Sequence, residues 1–216
     1  MQEKLLGTVE LKISAHPVSY PDALMFMDSK VAEIREKTAA ECVWFLEHPP
    51  LYTAGTSAKK TDLLNKNFPV YESGRGGQYT YHGPGQRVAY VMVDLYQRDK
   101  EPDLKAYIHQ LEGWIINALA EFGVVGERRE GRVGIWIDLK PYGRFGEAKI
   151  AAIGVRVRHW ITLHGISINV SPDLDAFNGI VPCGISEHGV TSLADLGIAA
   201  SLTDLDAALE KHCPFR

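Results

Sequence analysis

The sequence predicts an α/β protein of the α+β, mixed-sheet kind, folded as a single domain over residues 1–216. Three observations carry this reading. Two segments, Ser19–Lys37 and Asp103–Phe122, repeat apolar residues at intervals of three and four, the period of an amphipathic helix. About seven short runs read as strands, and they do not alternate strictly with the helices. No repeat, linker or low-complexity tract divides the 216 residues, and 45% of them are hydrophobic, enough for one full core.

Taken in order, Val9–Ile13 alternates as a first strand. In Ser19–Lys37, Pro21 falls in the first turn and Leu24, Met27, Val31 and Ile34 form the apolar stripe. Cys42–Leu46 is a buried-strand run stopped by His48-Pro49-Pro50. Leu51–Asn67 is polar and irregular and receives no assignment. Val70–Glu72 leads into Arg75–Gln86, where Gly74, Gly76, Gly77, Gly83 and Gly85 flank the alternating Gln78–His82. That pattern predicts loop, short strand with one face inward, loop, with backbone N–H groups free at both bends. Val88–Leu95 is apolar on both faces, as a central strand would be.

Asp103 suits an N-cap for the second helix, and Gly123 follows its end. Arg128, Arg129 and Arg132, mixed with Glu127 and Glu130, read as a solvated turn. Val133–Asp138 is a strand and Leu139–Ala148 a loop. Lys149–Val157 and Ile161–Val170 form an antiparallel hairpin. Ser171–Gly189 is irregular, Thr191–Leu196 a short helical turn, and Leu202–His212 a closing helix.

Composition excludes several classes. A net charge of −4 gives no global basic field for nucleic acid. No apolar run reaches the roughly 18–20 residues of a membrane span. The N-terminal residues carry no export or transit pattern, and three widely spaced cysteines point to reduced thiols in a cytoplasmic setting. Neither CxxC nor HExxH occurs, so no metal is expected. The glycine segment lacks the GK[ST] ending of a phosphate loop. Tyr79 stands where GxGxxG needs its third glycine, so no nucleotide cofactor is expected.

Few side chains are left that could carry chemistry. Cys42 sits in an apolar strand, as a buried small hydrophobe does. Cys213 lies near the end of the sequence and reads as a frayed-end thiol without a role. Cys183, in Val181-Pro182-Cys183-Gly184-Ile185, is placed for exposure and could be a nucleophile if its pKa is lowered. Lys149 opens a run of small apolar residues and could be partly buried beside a thiolate, or could be an ordinary strand-end lysine. His82 and His164 each precede a glycine, and either could be structural or a base for a thiol.

Four stretches together resemble one family. They are Arg75-Gly76-Gly77 with Thr80-Tyr81-His82-Gly83-Pro84-Gly85-Gln86; Lys149-Ile150-Ala151-Ala152-Ile153-Gly154; His164-Gly165-Ile166-Ser167-Ile168-Asn169; and Pro182-Cys183-Gly184-Ile185 with Thr191-Ser192-Leu193. Glu47-His48-Pro49-Pro50, Thr53 and Gly55 join them. In this order they are similar to the octanoyl-[acyl-carrier-protein]–protein N-octanoyltransferases of lipoate biosynthesis, over about residues 9–200. The resemblance implies the biotin/lipoate ligase-like fold and an acyltransferase that needs no cofactor. It implies Cys183 as the nucleophile that becomes an acyl-thioester, and Lys149 as the group that lowers its pKa and moves protons. Arg75, Gly76, Gly77, Gln78, Tyr79, Thr80, Tyr81 and His82 would line the octanoyl site, with Ala152, Ile153, Gly154, Gly165, Ile166 and Ser167. The implied donor is octanoyl-acyl carrier protein. The implied acceptors are lipoyl domains of the E2 subunits of 2-oxoacid dehydrogenases and the glycine cleavage H protein. Arg128, Arg129 and Arg132, or Arg156 and Arg158, are candidates for a basic docking patch. An ATP-dependent lipoate or biotin ligase, a cysteine hydrolase and a non-catalytic acyl-carrier binding module are the alternatives.

Overall fold

A computed structural model describes residues 2–181 and 189–216. The chain begins with a hairpin of β1 (Gln2–Leu6) and β2 (Val9–Ile13), then crosses through helix α1 (Tyr20–Arg35) to β3 (Cys42–Leu46), which lies parallel to β2. Ser19 caps α1, accepting the N–H of Asp22 on its side chain, so the helix begins where Pro21 can be tolerated. β4 (Leu51–Ala54), β5 (Val70–Glu72) and β6 (Tyr79–His82) form a small sheet in the order β5-β4-β6.

β7 (Gln86–Met92) leads through a short helix, α2 (Leu95–Arg98), to α3 (Leu104–Ala120), which Asp103 caps. β8 (Glu127–Arg129), β9 (Arg132–Asp138), β10 (Glu147–Arg158), β11 (Ile161–Asn169), β12 (Gly189–Val190) and α4 (Leu202–Lys211) complete the described chain. The large sheet runs β1-β2-β3-β7-β11-β10-β9-β8, with β12 paired to β10. It mixes parallel pairs, β2 with β3 and β10 with β12, into an otherwise antiparallel ladder. This is the mixed α/β class the sequence predicts.

Alternation along the central strands assigns the layers. Cys42, Trp44 and Leu46 of β3 and Val88, Tyr90 and Met92 of β7 face Ala23, Met27, Val31 and Ile34 of α1. Their neighbours Val43, Phe45, Ala89 and Val91 face Trp114, Ile115 and Leu119 of α3 and Leu205 and Leu209 of α4. The result is a helix–sheet–helix sandwich.

Several expectations are corrected. Twelve strands, not about seven, occur among the described residues, because short strands such as β1, β4 and β8 carry little apolar pattern of their own. Leu51–Ala54, in the segment whose pattern supports no assignment, is β4, buried between β5 and β6. The arginine segment is a β8–β9 hairpin rather than a solvated turn. The loop after β9 contains a 3-10 turn at Lys140–Tyr142 and ends at Glu147, where β10 begins. β6 is buried on both faces, because the small sheet is itself covered. Cys213 is not a frayed-end thiol: it is buried in the core beside Phe215, and that burial raises its pKa.

The α4 layer is tied to β7 by a buried ion pair. Arg87 donates Nη2–H to Asp206 Oδ2 at 3.0 Å, and its Nε lies 2.8 Å from Oδ1 as an ion-pair contact. Burial, outweighing the nearby guanidinium, lifts the Asp206 carboxyl to about 6. Asp206→Ala strands a buried guanidinium and is expected to cost about 3–5 kcal/mol in denaturant unfolding, whereas Arg87→Leu with Asp206→Leu recovers most of it. Equal losses in the single and double variants would contradict this.

Candidate active site

A cavity of about 230 Å³ lies between the large and small sheets. Residues distant in sequence converge on it. The glycine segment and β6 bring Arg75, Gly77, Gln78, Tyr79, Thr80 and His82. β10 and β11 bring Lys149, Ala152, Ile153, Gly154, Gly165, Ile166 and Ser167. Two expected residues lie elsewhere. Gly76 is spent on the wall, donating its N–H to the Val155 carbonyl at 2.9 Å. Tyr81 points the other way and packs with Tyr52, Phe68 and Phe177. Nor are the N–H groups at both bends free, since that of Gly85 donates to Glu47 Oε1 at 2.7 Å. Cys183 and its neighbours from 182 to 188 lie outside the described residues.

Register sets the cavity's long direction. Val155 pairs with His164, and Gly154 with Gly165. From Lys149 to the level of His164 is six residues along β10, about 20 Å at about 3.3 Å per residue. Lys149 therefore stands at one end and His164 towards the other, with Ala152, Ile153, Gly165 and Ile166 between them. The strand that follows the Cys183 segment, β12, pairs Gly189 with Ala148 and Val190 with Lys149.

Arg75 is buried and organises the wall. Its guanidinium donates to the carbonyls of Thr53, Gly76 and Gln78 and to Thr53 Oγ1, at 2.7–3.0 Å. Its stem lies against Gly154, where a Cβ would come within 2.7 Å of Arg75 Cδ. Glycine is needed there for close approach, not for a turn. From Thr53 a polar chain continues: His82 Nε2 is 3.5 Å from Thr53 Oγ1, and His82 Nδ1 is 2.7 Å from Gln86 Oε1. Gln86 then donates to Asn169, and Asn169 to the Thr191 carbonyl. Thr191 in turn donates its N–H to the Lys149 carbonyl at 3.0 Å.

Three buried histidines, His48, His82 and His164, are held neutral. Burial depresses His48 to about 4, against a partial gain from its bond to the Val18 carbonyl. His82 falls to about 3, through burial first, then the proximity of the second imidazole of His48 and the charge of Arg75. His164 falls to about 4, through burial and then the charges of Arg75 and Arg156. Groups this far below neutral are poor proton acceptors at neutral pH, which counts against His82 and His164 as the base of a thiol. His164 also holds a positive φ of 61°, with its ring edge-to-face on Tyr90.

Lys149 is buried, and its strand partner across the ladder is Trp136. Its Nζ sits 5.5 Å from the centre of the Trp136 ring. The register shifts just beyond, between Lys149 and Ala151. Gly134 stands at that shift with φ 118°, and a Cβ there would lie 2.4 Å from Lys149 Cε. The neighbouring arginines are paired: Arg128 with Glu112, Arg129 with Glu127 and Glu147, Arg132 with Glu147, and Arg158 with Asp28. Carboxylates thus offset the basic patch expected at these four positions. Among the described residues no group of three or more His, Cys, Asp or Glu is arranged to hold a metal.

Comparison with known proteins accounts for this arrangement. Residues 19–213 match the model of the lipoyl protein ligase A/B catalytic domain. The chain belongs to that family. A Rhodospirillum rubrum relative named octanoyltransferase is 64% identical over 202 residues, covering 93% of this chain and 91% of its own. A Parvibaculum lavamentivorans relative of the same name is 59% identical over 212 residues, covering 98% and 93%. The bi-partite lipoate protein ligase of Thermoplasma acidophilum shares the fold at a TM-score of 0.66, with 16% identity, over 93% of this chain and 81% of that one.

The sequence does not mark Tyr20, Thr53, Ser57, Val88, Tyr90 and Val133 as cavity residues: Tyr20, Val88, Tyr90 and Val133 lie in segments read only for secondary structure, Ser57 in one without assignment, and Thr53 enters as a motif residue with no place in the octanoyl site. Gly134 did leave a signal: an isolated glycine within an apolar strand marks a bulge or a close approach.

The neutral histidines make a prediction about pH. Unfolded histidines titrate near pH 6.5. The folded chain takes these protons only near 3 to 4. Stability is thus full above about pH 6.5 and falls as pH drops towards 4, by on the order of a few kcal/mol per histidine. Urea unfolding followed from pH 8 to 4.5 should show it, and a level stability across that range would contradict it.

Proposed function

We propose that this chain transfers an octanoyl group from octanoyl-acyl carrier protein to the ε-amine of a lysine on lipoyl domains, through a thioester on Cys183. The observation that carries the reading is the cavity: Lys149 at one end, then Ala152, Ile153, Gly165 and Ile166 beside a path for an uncharged chain. Family membership and two relatives named octanoyltransferase support the same chemistry.

In the first step the thiolate of Cys183 attacks the donor's thioester carbonyl. The bond from carbonyl carbon to the carrier's sulfur breaks, that sulfur takes a proton from the Lys149 ammonium so that the carrier leaves as a thiol, and octanoyl-Cys183 remains beside a neutral Lys149. An ordinary thiol, with pKa near 8.5, is only a few per cent thiolate at neutral pH. The ammonium of Lys149 would favour that thiolate. In the second step the acceptor amine attacks the new thioester, its proton passes to Lys149, and the Cys183 thiolate leaves as the amide forms. Thioester to amide runs downhill, so the reaction needs no ATP and no cofactor.

Acceptors of this kind are the lipoyl domains of E2 subunits and the glycine cleavage H protein. The whole of residues 1–216 would serve as one catalytic domain. Cys42 and Cys213 are free and buried, in keeping with a cytoplasmic, reducing setting. No helix among the described residues is long and apolar enough to cross a membrane.

Intact-mass spectrometry of the chain mixed with octanoyl-acyl carrier protein, without ATP, tests the reading. One octanoyl adduct is expected on wild type, transferable to a lipoyl domain and absent from Cys183→Ser. Octanoylation that appears only with ATP and Mg²⁺ would instead place the chain with the ATP-dependent ligases.

A further inference from the structure

Lys149 reaches its place by a construction that the reaction alone does not require. A glycine inside a strand costs backbone entropy and contributes no side chain to packing. Gly134 lies within β9 rather than at a turn, with φ 118°. The volume its side chain would fill is taken by Lys149: a Cβ would lie 2.4 Å from Cε, 3.0 Å from Nζ and 2.6 Å from the Ala151 carbonyl oxygen. The ladder shifts register at the same level, the device by which a sheet re-aims a side chain.

On the other side stands Trp136, directly across the ladder from Lys149. Directly opposed residues project from the same face. The indole is itself fixed. It is buried, donates Nε1–H to the Arg132 carbonyl at 3.1 Å, and carries the Arg132 guanidinium 4.5 Å from its ring centre. Glu147 holds that guanidinium in turn at 2.5 Å. A ring held this firmly offers Lys149 Nζ, at 5.5 Å, a π face that attracts an ammonium.

We propose that Gly134 and Trp136 are positioning residues for the transfer reaction, the glycine opening a slot for the Lys149 stem and the indole face holding its ammonium at the reacting end of the cavity. Neither touches the acyl chain's reacting atoms, so both act through Lys149. The inference rests on the reading of Lys149 given above.

The test measures kcat and donor KM for octanoyl transfer from octanoyl-acyl carrier protein to a lipoyl domain, with thermal melts, in Lys149→Ala, Gly134→Ala, Trp136→Leu and Trp136→Phe. Gly134→Ala should lower kcat on the order of 100-fold, the effect of a displacement of about 1 Å, with donor KM within about twofold. Trp136→Leu should lower kcat about 10-fold, while Trp136→Phe, which keeps a ring face, should stay within about threefold of wild type. The two Trp136 variants decide the matter even if Gly134→Ala does not fold. Equal losses in Trp136→Leu and Trp136→Phe would make the indole mere packing and overturn the proposal, as would wild-type rates in Gly134→Ala and Trp136→Leu beside a slow Lys149→Ala. A Lys149→Ala enzyme as fast as wild type would instead remove the underlying reading, and the proposal with it.

Discussion

The Arg75 guanidinium is the constraint on which the cavity depends. Its donors go to carbonyls of Thr53, Gly76 and Gln78, so a folded-back glycine segment is stitched to β4 by a charge that burial makes costly to leave unmatched. Close packing on Gly154 then sets the distance between the small sheet and β10. The same charge helps keep His82 and His164 neutral, and neutral imidazoles can be buried beside an apolar path without counterions. Loop shape, wall spacing and wall protonation thus share one cause.

That construction suits an acyl chain. A hydrocarbon offers no charge to grip, so selection falls to length and shape, and one methylene is worth only about 1–3 kcal/mol. The polar groups are gathered instead at the ends and behind the walls. The chain from Thr53 through His82, Gln86 and Asn169 reaches the backbone at Thr191, which bonds to the Lys149 carbonyl. Rigid support of this kind is what a site needs if a lysine and an acyl carbonyl are to meet within a fraction of an ångström.

How much of this was legible depended on whether the cause was local. The caps at Ser19 and Asp103 and the stripes behind them define α1 and α3 to within a residue or two, because capping and periodicity act over one or two turns. β3 and β7 were legible because central strands are apolar on both faces. Cys213 was misread because proximity to the end suggested fraying, whereas Phe215 packs on Trp114 and Tyr107 and draws the segment inward. Tyr20, Thr53 and Tyr90 could not be assigned to the cavity from any local pattern, since only the pairing of distant strands brings them there. The motif resemblance reaches much of the cavity wall, yet it also includes Tyr81, which the alternation of β6 turns away, and Gly76, whose N–H is bonded to the Val155 carbonyl.

The central claim is that the acyl chain lies in this cavity with its carbonyl towards Lys149. Isotope-filtered NMR on the chain loaded with ¹³C-octanoyl donor tests it most directly. The account predicts contacts from the distal carbons to the ring of Tyr90 and the methyl groups of Ile166, and from the proximal carbons to the methyl group of Ala152, in keeping with the strand register. Contacts confined to the open groove near Pro102 and Tyr107, or none to these groups, would contradict it.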